Sequence, residues 1–132
     1  MNEYTLFQDL YVESNAVWGE DDEMPNCSLY YVLEDKILLS NQGIIEWQQK
    51  GAKYFTYWIT AYFILAHECG HRYSYKIGED WTYHVDEALA WHNGRRFIHP
   101  AYLDLYDKFS RGVFKSQSEF KLQGTCSLGI LY

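Results

Sequence analysis

The sequence predicts an α+β fold: one mostly helical domain over residues 1–132, with a small antiparallel β-hairpin or sheet beside its central helix. First, residues 54–66 contain no charged residue, proline or glycine, a pattern typical of a buried helix. Second, two short apolar runs flank a polar pair at residues 34–35, which indicates a hairpin. Third, 48% of the residues are hydrophobic and 22% are charged, so the chain can form one globular core.

Four elements are predicted before the central helix. In order, they are a helix over residues 3–18, an acidic loop over 19–26, a hairpin of strands over 27–33 and 36–40, and a helix from about 44 toward a break near 51. The hairpin either only covers the core or presents a strand edge to which an extended peptide adds by main-chain hydrogen bonds. Ser40 or Asn41 can cap the helix that follows, because their side-chain oxygens accept hydrogen bonds from free backbone N–H groups.

The central helix is predicted over residues 52–76, with Gly78 as its stop. It carries an HExxH motif in which His67 and His71 lie four residues apart, so both imidazoles project from one face of the helix. Two imidazoles at this spacing can bind one tetrahedral zinc ion. Glu68 lies about 100° further round the helix, where it can reach a water on the metal without replacing a ligand. The structural alternative is a buried helix whose histidines bond to backbone carbonyls, but ionisable groups in an uncharged helix need a partner for their charge.

The third metal ligand is expected on the next helix, predicted over residues 83–98. Glu87, sixteen positions after the motif (87 − 71), is the leading candidate because a zinc held by two histidines needs one more protein ligand. Two small residues beside it allow the helices to approach closely: Ala88 and Ala90. His84, one helical turn earlier, is either an alternative ligand or a hydrogen-bond donor to a developing oxyanion. The remaining alternatives are that Asp86 is the third ligand or that the site has no third protein ligand.

The remaining features have predicted structural roles. Pro100 begins another helical stretch over residues 100–109, and residues 110–132 form a short helix or an extended tail whose apolar end docks on the body. Cys69 points away from His67 and is expected in the core. Arg72 is expected to pair with an acidic residue such as Asp80 or Asp86.

This arrangement resembles the gluzincin-type metallopeptidases, and most of all the small ImmA/IrrE-type domains. The resemblance covers about residues 29–100 and depends on the HExxH motif and on a second helix of the pattern Glu-x-x-Ala-Asn-x-Phe-Ala-Ala-x-Leu-Leu-Met-Pro. Five residues fall, without a gap, on the Glu, Ala, Leu, Leu and Pro of this pattern: Glu87, Ala90, Phe97, Ile98 and Pro100. Departures from it include Trp91 in place of Asn, Asn93 in place of Phe, Gly94 in place of Ala and His99 in place of Met. The resemblance implies a zincin-like fold and a protein substrate, since such domains often cleave a DNA-binding repressor.

Composition excludes two classes of partner. The net charge of −7 and the pI near 5.1 argue against nucleic acid, because phosphate binding needs a basic face. Residues 54–66 are too few to span a bilayer, so no membrane association is expected. Three cysteines without a CxxC motif favour reduced thiols: Cys27, Cys69 and Cys126. With no secretory signal at the N-terminus, they predict a cytoplasmic protein.

Together, these observations predict a zinc-dependent peptidase acting on a peptide or protein substrate, with a regulator or repressor among the candidates. Its metal ligands are His67, His71 and Glu87, and Glu68 is the general base. The donor to the oxyanion is expected among three residues: His84, Tyr83 and Tyr75. Two other functions stay open, a catalytically inactive zinc-stabilised protein-binding module and a toxin-like or antirepressor-like component acting on one protein.

Overall fold

The computed structural model combines five α-helices with a four-stranded mixed sheet in the described residues, 2–20, 27–50, 55–78, 83–122 and 129–131. The helices are α1 (Glu3–Ser14), α2 (Asn41–Lys50), α3 (Tyr57–Lys76), α4 (Tyr83–Gly94) and α5 (Leu103–Leu122). The strands are β1 (Val17–Trp18), β2 (Leu29–Tyr31), β3 (Lys36–Leu39) and β4 (Gly129–Leu131). Two short 3₁₀ helices, Arg95–Phe97 and Pro100–Tyr102, connect α4 to α5. The prediction of a mostly helical α+β fold is confirmed.

Helix α3 lies at the centre of the fold. Every residue from 59 to 71 is buried, and α3 contacts α1, α2, α4 and strands β2, β3 and β4. A helix that is packed on all sides has no face on which a charged side chain could reach water. This explains why the chain is uncharged throughout the stretch before the HExxH motif.

The start of α3 differs from the prediction, whereas its end agrees. The Thr56 side chain accepts a hydrogen bond from the Ile59 N–H at 3.2 Å and caps the helix, so Phe55 and Thr56 precede it. The Gln48 side chain donates to the Phe55 carbonyl at 2.9 Å and supports this non-helical segment. At the other end, Gly78 has φ +73, a left-handed conformation that favours glycine and stops the helix. The predicted break near residue 51 lies outside the described residues.

The predicted hairpin is confirmed. Strands β2 and β3 are antiparallel with Tyr30 opposite Ile37, and Asp35 takes the left-handed conformation (φ 50) that the turn requires. Its carboxylate also accepts a hydrogen bond from the Tyr30 hydroxyl at 2.9 Å. However, β1 pairs with the outer edge of β3 and β4 with the outer edge of β2, both in parallel. The outer edge of β2 is therefore paired along its length and that of β3 at Leu38 and Leu39, and β1 and β4 are the edge strands of the sheet in the described residues.

Other predicted boundaries also differ from the structure, including the end of α4, which stops at Gly94 and not at residue 98. The first helix ends at Ser14, where Asn15 adopts φ 58, and Val17 and Trp18 form a strand instead of a last helical turn. Helix α5 continues through residues predicted as a short helix or tail and ends at Leu122. The apolar C-terminal end docks on the body as predicted, since β4 pairs with β2. Residues 21–26 of the predicted acidic loop lie outside the described part of the chain.

Helix α2 is capped by Ser40, one of the two candidates. Its side chain accepts a hydrogen bond from the Gly43 N–H at 3.0 Å, and its carbonyl accepts the first helical bond from Ile44 at 3.1 Å. We expect Ser40→Ala to lower the free energy of unfolding by about 1 kcal/mol, because one N–H of the first turn loses its acceptor. Urea denaturation of the variant and the parent measures this difference. An unchanged midpoint would mean that water replaces the cap.

The prediction of reduced thiols is wrong for one cysteine. Cys27 is disulfide-bonded, and its partner lies outside the described residues, whereas Cys69 is free and buried. Cys27 lies just before β2, and a disulfide there constrains the unfolded chain. No helix in the described ranges is both long enough and apolar enough to cross a membrane.

Candidate metal centre

The two helices that carry the predicted ligands, α3 and α4, cross with their backbones in contact. A Cβ added at Gly70 would lie 2.8 Å from the carbonyl carbon of Ala90, and closer still to its oxygen. A Cβ at Gly94 would lie 2.8 Å from the carbonyl oxygen of Ala66. Ala90 is fully buried in this contact, as predicted, whereas Ala88 is exposed and takes no part in it. Close approach is therefore due chiefly to two glycines, one on each helix.

Hydrogen bonds hold the crossing in place. The Asn93 side chain of α4 donates to the Ser74 hydroxyl at 2.9 Å, and that hydroxyl donates to the Gly70 carbonyl at 2.9 Å. Asn93 and Ser74 are both buried, so these bonds are shielded from competing water. They fix α4 relative to the turn of α3 that contains the motif.

The crossing brings all three predicted ligands together. His67 and His71 lie one turn apart on α3, and their ring centroids are 4.6 Å apart. Glu87 of α4 faces both rings: its Oε1 lies 2.9 Å from Nε2 of His71, and its Oε2 lies 3.2 Å from Nε2 of His67. One ligand atom from each residue lies within 4.8 Å of the other two, so the trio could hold a metal ion. The side chains of the alternative ligands, His84 and Asp86, are outside the described part of α4.

Burial and the contacts within the trio set the protonation states of His67 and Glu87. His67 and His71 have no exposed surface, and Glu87 is 2% exposed. Burial disfavours the charged imidazolium and lowers the pKa of His67 to about 4, although Glu87 opposes this effect. Burial alone would raise the pKa of Glu87, but His71 and His67 outweigh it and lower that pKa to about 2. At neutral pH His67 is therefore a neutral nitrogen donor and Glu87 a carboxylate, which are the forms that bind metals.

The residues fit a divalent cation. A buried carboxylate needs a compensating positive charge, and a metal between the three side chains would supply it. The Nδ1 and Nε2 atoms of His67 have no hydrogen-bond partner among the described residues, although Nε2 faces Glu87. A nitrogen donor that is buried without a hydrogen bond is expected where a ligand or ion belongs.

The predicted general base lies beside the trio on the same helix. Glu68 is fully buried, and both of its carboxylate oxygens are shielded from bulk solvent. Helical geometry places Glu68 one residue beyond His67, as the motif requires.

Cys69 lies inside the motif and Arg72 directly follows it, and both make structural contacts. Cys69 is buried in the core as predicted, and burial raises the pKa of its thiol to about 12, so the thiol is protonated and unreactive. Arg72 donates to the Ser14 carbonyl at 2.9 Å and so anchors the end of α1 to α3. The expected acidic partners of Arg72, the side chains of Asp80 and Asp86, fall outside the described residues. Arg72 therefore has a structural contact that the prediction lacked.

Sequence reasoning missed one residue that contacts the metal centre. The ring centroid of Trp91 lies 3.9 Å from that of His67, with 34° between the ring planes. Trp91 is one helical turn beyond Glu87 and therefore on the same face of α4, a spacing that could have identified it. A second available signal was that Trp91 stands where the ImmA/IrrE-type pattern has Asn.

Comparison with known protein families, with curated proteins and with solved structures finds no match to this chain. The resemblance to ImmA/IrrE-type domains therefore stays a prediction from the motif and the second helix.

Proposed function

We propose that the protein is a zinc-dependent peptidase. The observation that supports this most is the buried trio of His67, His71 and Glu87, whose ligand atoms lie within 4.8 Å of one another beside the Glu68 carboxylate. Two imidazoles and one carboxylate are the protein ligands of many catalytic zinc sites, which keep a further position open. Zinc is favoured over calcium or magnesium because those ions prefer oxygen ligands throughout.

Each residue of the site has a role in the proposed reaction. Zinc, when bound, would acidify a water molecule and polarise the scissile carbonyl. His67, His71 and Glu87 would hold the ion, and the Glu87 carboxylate would reduce the net charge of the site to +1, which would still favour a developing oxyanion. Glu68 takes the proton of the attacking water and passes it to the amine that leaves. His84, Tyr83 and Tyr75 stay the candidates for the oxyanion donor.

The proposed substrate is a peptide or protein. The resemblance to ImmA/IrrE-type domains adds a regulator or repressor as one candidate, whereas the acidic composition disfavours nucleic acid. A cytoplasmic location stays a prediction. The disulfide at Cys27 argues against it, because disulfides persist chiefly in oxidising compartments.

The first experiment tests the metal. Elemental analysis of the purified protein is expected to give about one zinc per chain, and His67→Ala and Glu87→Ala are expected to bind little, because each leaves two ligands. Zinc should also raise the melting temperature of the parent, since it binds the folded state only. His92→Ala is a matched control, because His92 is an exposed histidine on α4. Equal zinc in the parent and both ligand variants would exclude this trio as the site.

Hydrolysis is tested separately. The zinc-loaded protein is incubated with a host lysate, and new peptide N-termini are identified by mass spectrometry. Termini that appear with the parent and disappear on chelation identify the substrate. This survey can detect a single specific target, which a generic peptide assay would miss.

The complete burial of the trio favours one alternative. A metal enclosed among residues with 0–2% exposure could serve stability alone, in a catalytically inactive protein-binding module. Such a module would bind zinc with the same ligands and generate no new N-termini in the lysate. The pair of experiments therefore separates the two functions.

A further inference from the structure

Metal-binding histidines are normally held in place through their second nitrogen. That N–H usually donates to a carboxylate or a backbone carbonyl, which fixes the orientation of the ring. Nδ1 of His67 has no hydrogen-bond partner within the described part of the chain. Another contact must therefore fix the plane of this ring.

The indole of Trp91 makes that contact. Its ring lies against the His67 imidazole at a centroid distance of 3.9 Å, with 34° between the planes. Trp91 is itself held from the other side by helix α5: its centroid lies 5.8 Å from that of Tyr106 and 5.9 Å from that of Phe109. The Tyr106 hydroxyl also donates to the Trp91 carbonyl at 2.6 Å. His67 is thus backed by an indole that is only 5% exposed and is itself packed against α5.

We propose that Trp91 is a positioning residue for the metal centre, which orients the His67 imidazole by stacking and not by a hydrogen bond. This inference rests on the metal site of the proposed function but not on hydrolysis. Binding of a cation makes an imidazole more positive, and an indole face attracts positive charge more strongly than other aromatic faces. The stack therefore strengthens when the metal binds, so Trp91 favours the occupied state.

The indole acts through its face. The Trp91 Nε1 atom is shielded from solvent and has no hydrogen-bond partner among the described residues. A residue selected to donate a hydrogen bond to the protein would show an acceptor there. Stacking is the contact that Trp91 makes with the metal site in this structure.

Zinc affinity measured by competition with a fluorescent chelator tests the proposal. We expect Trp91→Leu, which fills space without an aromatic face, to weaken zinc binding about 10-fold to 100-fold, as loss of other outer contacts to metal ligands does. Trp91→Phe keeps an aromatic face and should stay within about threefold of the parent. Trp47→Leu is the matched control, because Trp47 is also 5% exposed but lies on α2. It should lower the melting temperature without changing zinc affinity.

Cobalt quenching of tryptophan fluorescence gives a second measurement that does not require the Leu variant to fold. Among the tryptophans that the structure describes, Trp91 touches a ligand of the proposed site, so Co²⁺ should quench the fluorescence of the parent and of Trp47→Phe more strongly than that of Trp91→Phe. Zinc affinity equal to the parent in a folded Trp91→Leu, or full quenching in Trp91→Phe, would overturn the positioning role. If the parent itself binds no zinc, the proposed function also fails. Weaker zinc binding in Trp91→Leu without any hydrolysis by the parent would reject only the peptidase.

Discussion

Glu68→Gln is expected to abolish hydrolysis while the protein keeps its zinc. The amide has the shape of the carboxylate but cannot take a proton from water, and a positioned general base contributes about 10²-fold to 10⁴-fold to the rate. The ligands of the proposed site are on other residues, so metal binding should persist. The measurement is the single-turnover cleavage rate of the substrate found in the lysate survey, with zinc content determined on the same preparation.

The control for this prediction is Glu13→Gln, which changes an exposed glutamate on α1 and should leave cleavage unchanged. A zinc-loaded Glu68→Gln that cleaves at the parent rate would remove Glu68 from the reaction. A variant that loses zinc would instead show that Glu68 supports the metal site, since it is fully buried beside His67. Zinc content and rate together therefore distinguish a base from a supporting residue.

The ligand trio could be predicted because its geometry is mostly local. Helical periodicity alone places His67 and His71 on one face of α3. The structure confirms this, since their ring centroids are 4.6 Å apart and both offer a ligand atom to the same trio. Glu87 required one further assumption, that the next helix packs against the first. We made that assumption because a zinc ion held by two histidines needs a third protein ligand.

The sheet was predicted only in part, because two of its three pairings join distant segments. The β2–β3 hairpin is local, and its turn could be located from the sequence. Strands β1 and β4 have two and three residues, and each is recognisable only through its partner. Val17 and Trp18 continue the apolar spacing of α1, so a helix was predicted for them. The Cys27 disulfide was missed for a similar reason, since pairing of distant cysteines cannot be deduced from spacing.

The close approach of α3 and α4 was predicted from two alanines, and one of them takes no part in the contact. Two alanines follow Glu87, at positions 88 and 90, but only Ala90 faces α3, while Ala88 is exposed. The backbone contact depends on Gly70, which lies inside the motif at a position where any residue is allowed, and on Gly94. Which small residue faces the neighbouring helix depends on the rotation of α4 about its axis, and sequence does not determine this. The stacking of Trp91 on His67 depends on the same rotation.

Gly70→Ala is expected to have the largest effect on both stability and metal binding. The added methyl group would lie 2.8 Å from the Ala90 carbonyl carbon and closer to its oxygen, and neither is a flexible side chain that could move aside. Helices α3 and α4 would have to separate, at a cost of about 3 kcal/mol, or roughly 10 °C in melting temperature. Their separation would draw the Glu87 carboxylate away from the two imidazoles, now 2.9 and 3.2 Å from it. We therefore expect zinc binding to be lost as well.

Gly112→Ala on α5 is the matched control for this substitution. A Cβ there would meet nothing within 4 Å, so the intrinsic helix preference for alanine should raise stability by about 0.5–1 kcal/mol. Thermal melts with and without added zinc compare both variants with the parent. Zinc should raise the melting temperature of the parent and of Gly112→Ala, but not that of Gly70→Ala. If Gly70→Ala melts like the parent and still responds to zinc, the helices tolerate separation, and backbone contact at Gly70 is not what assembles the site.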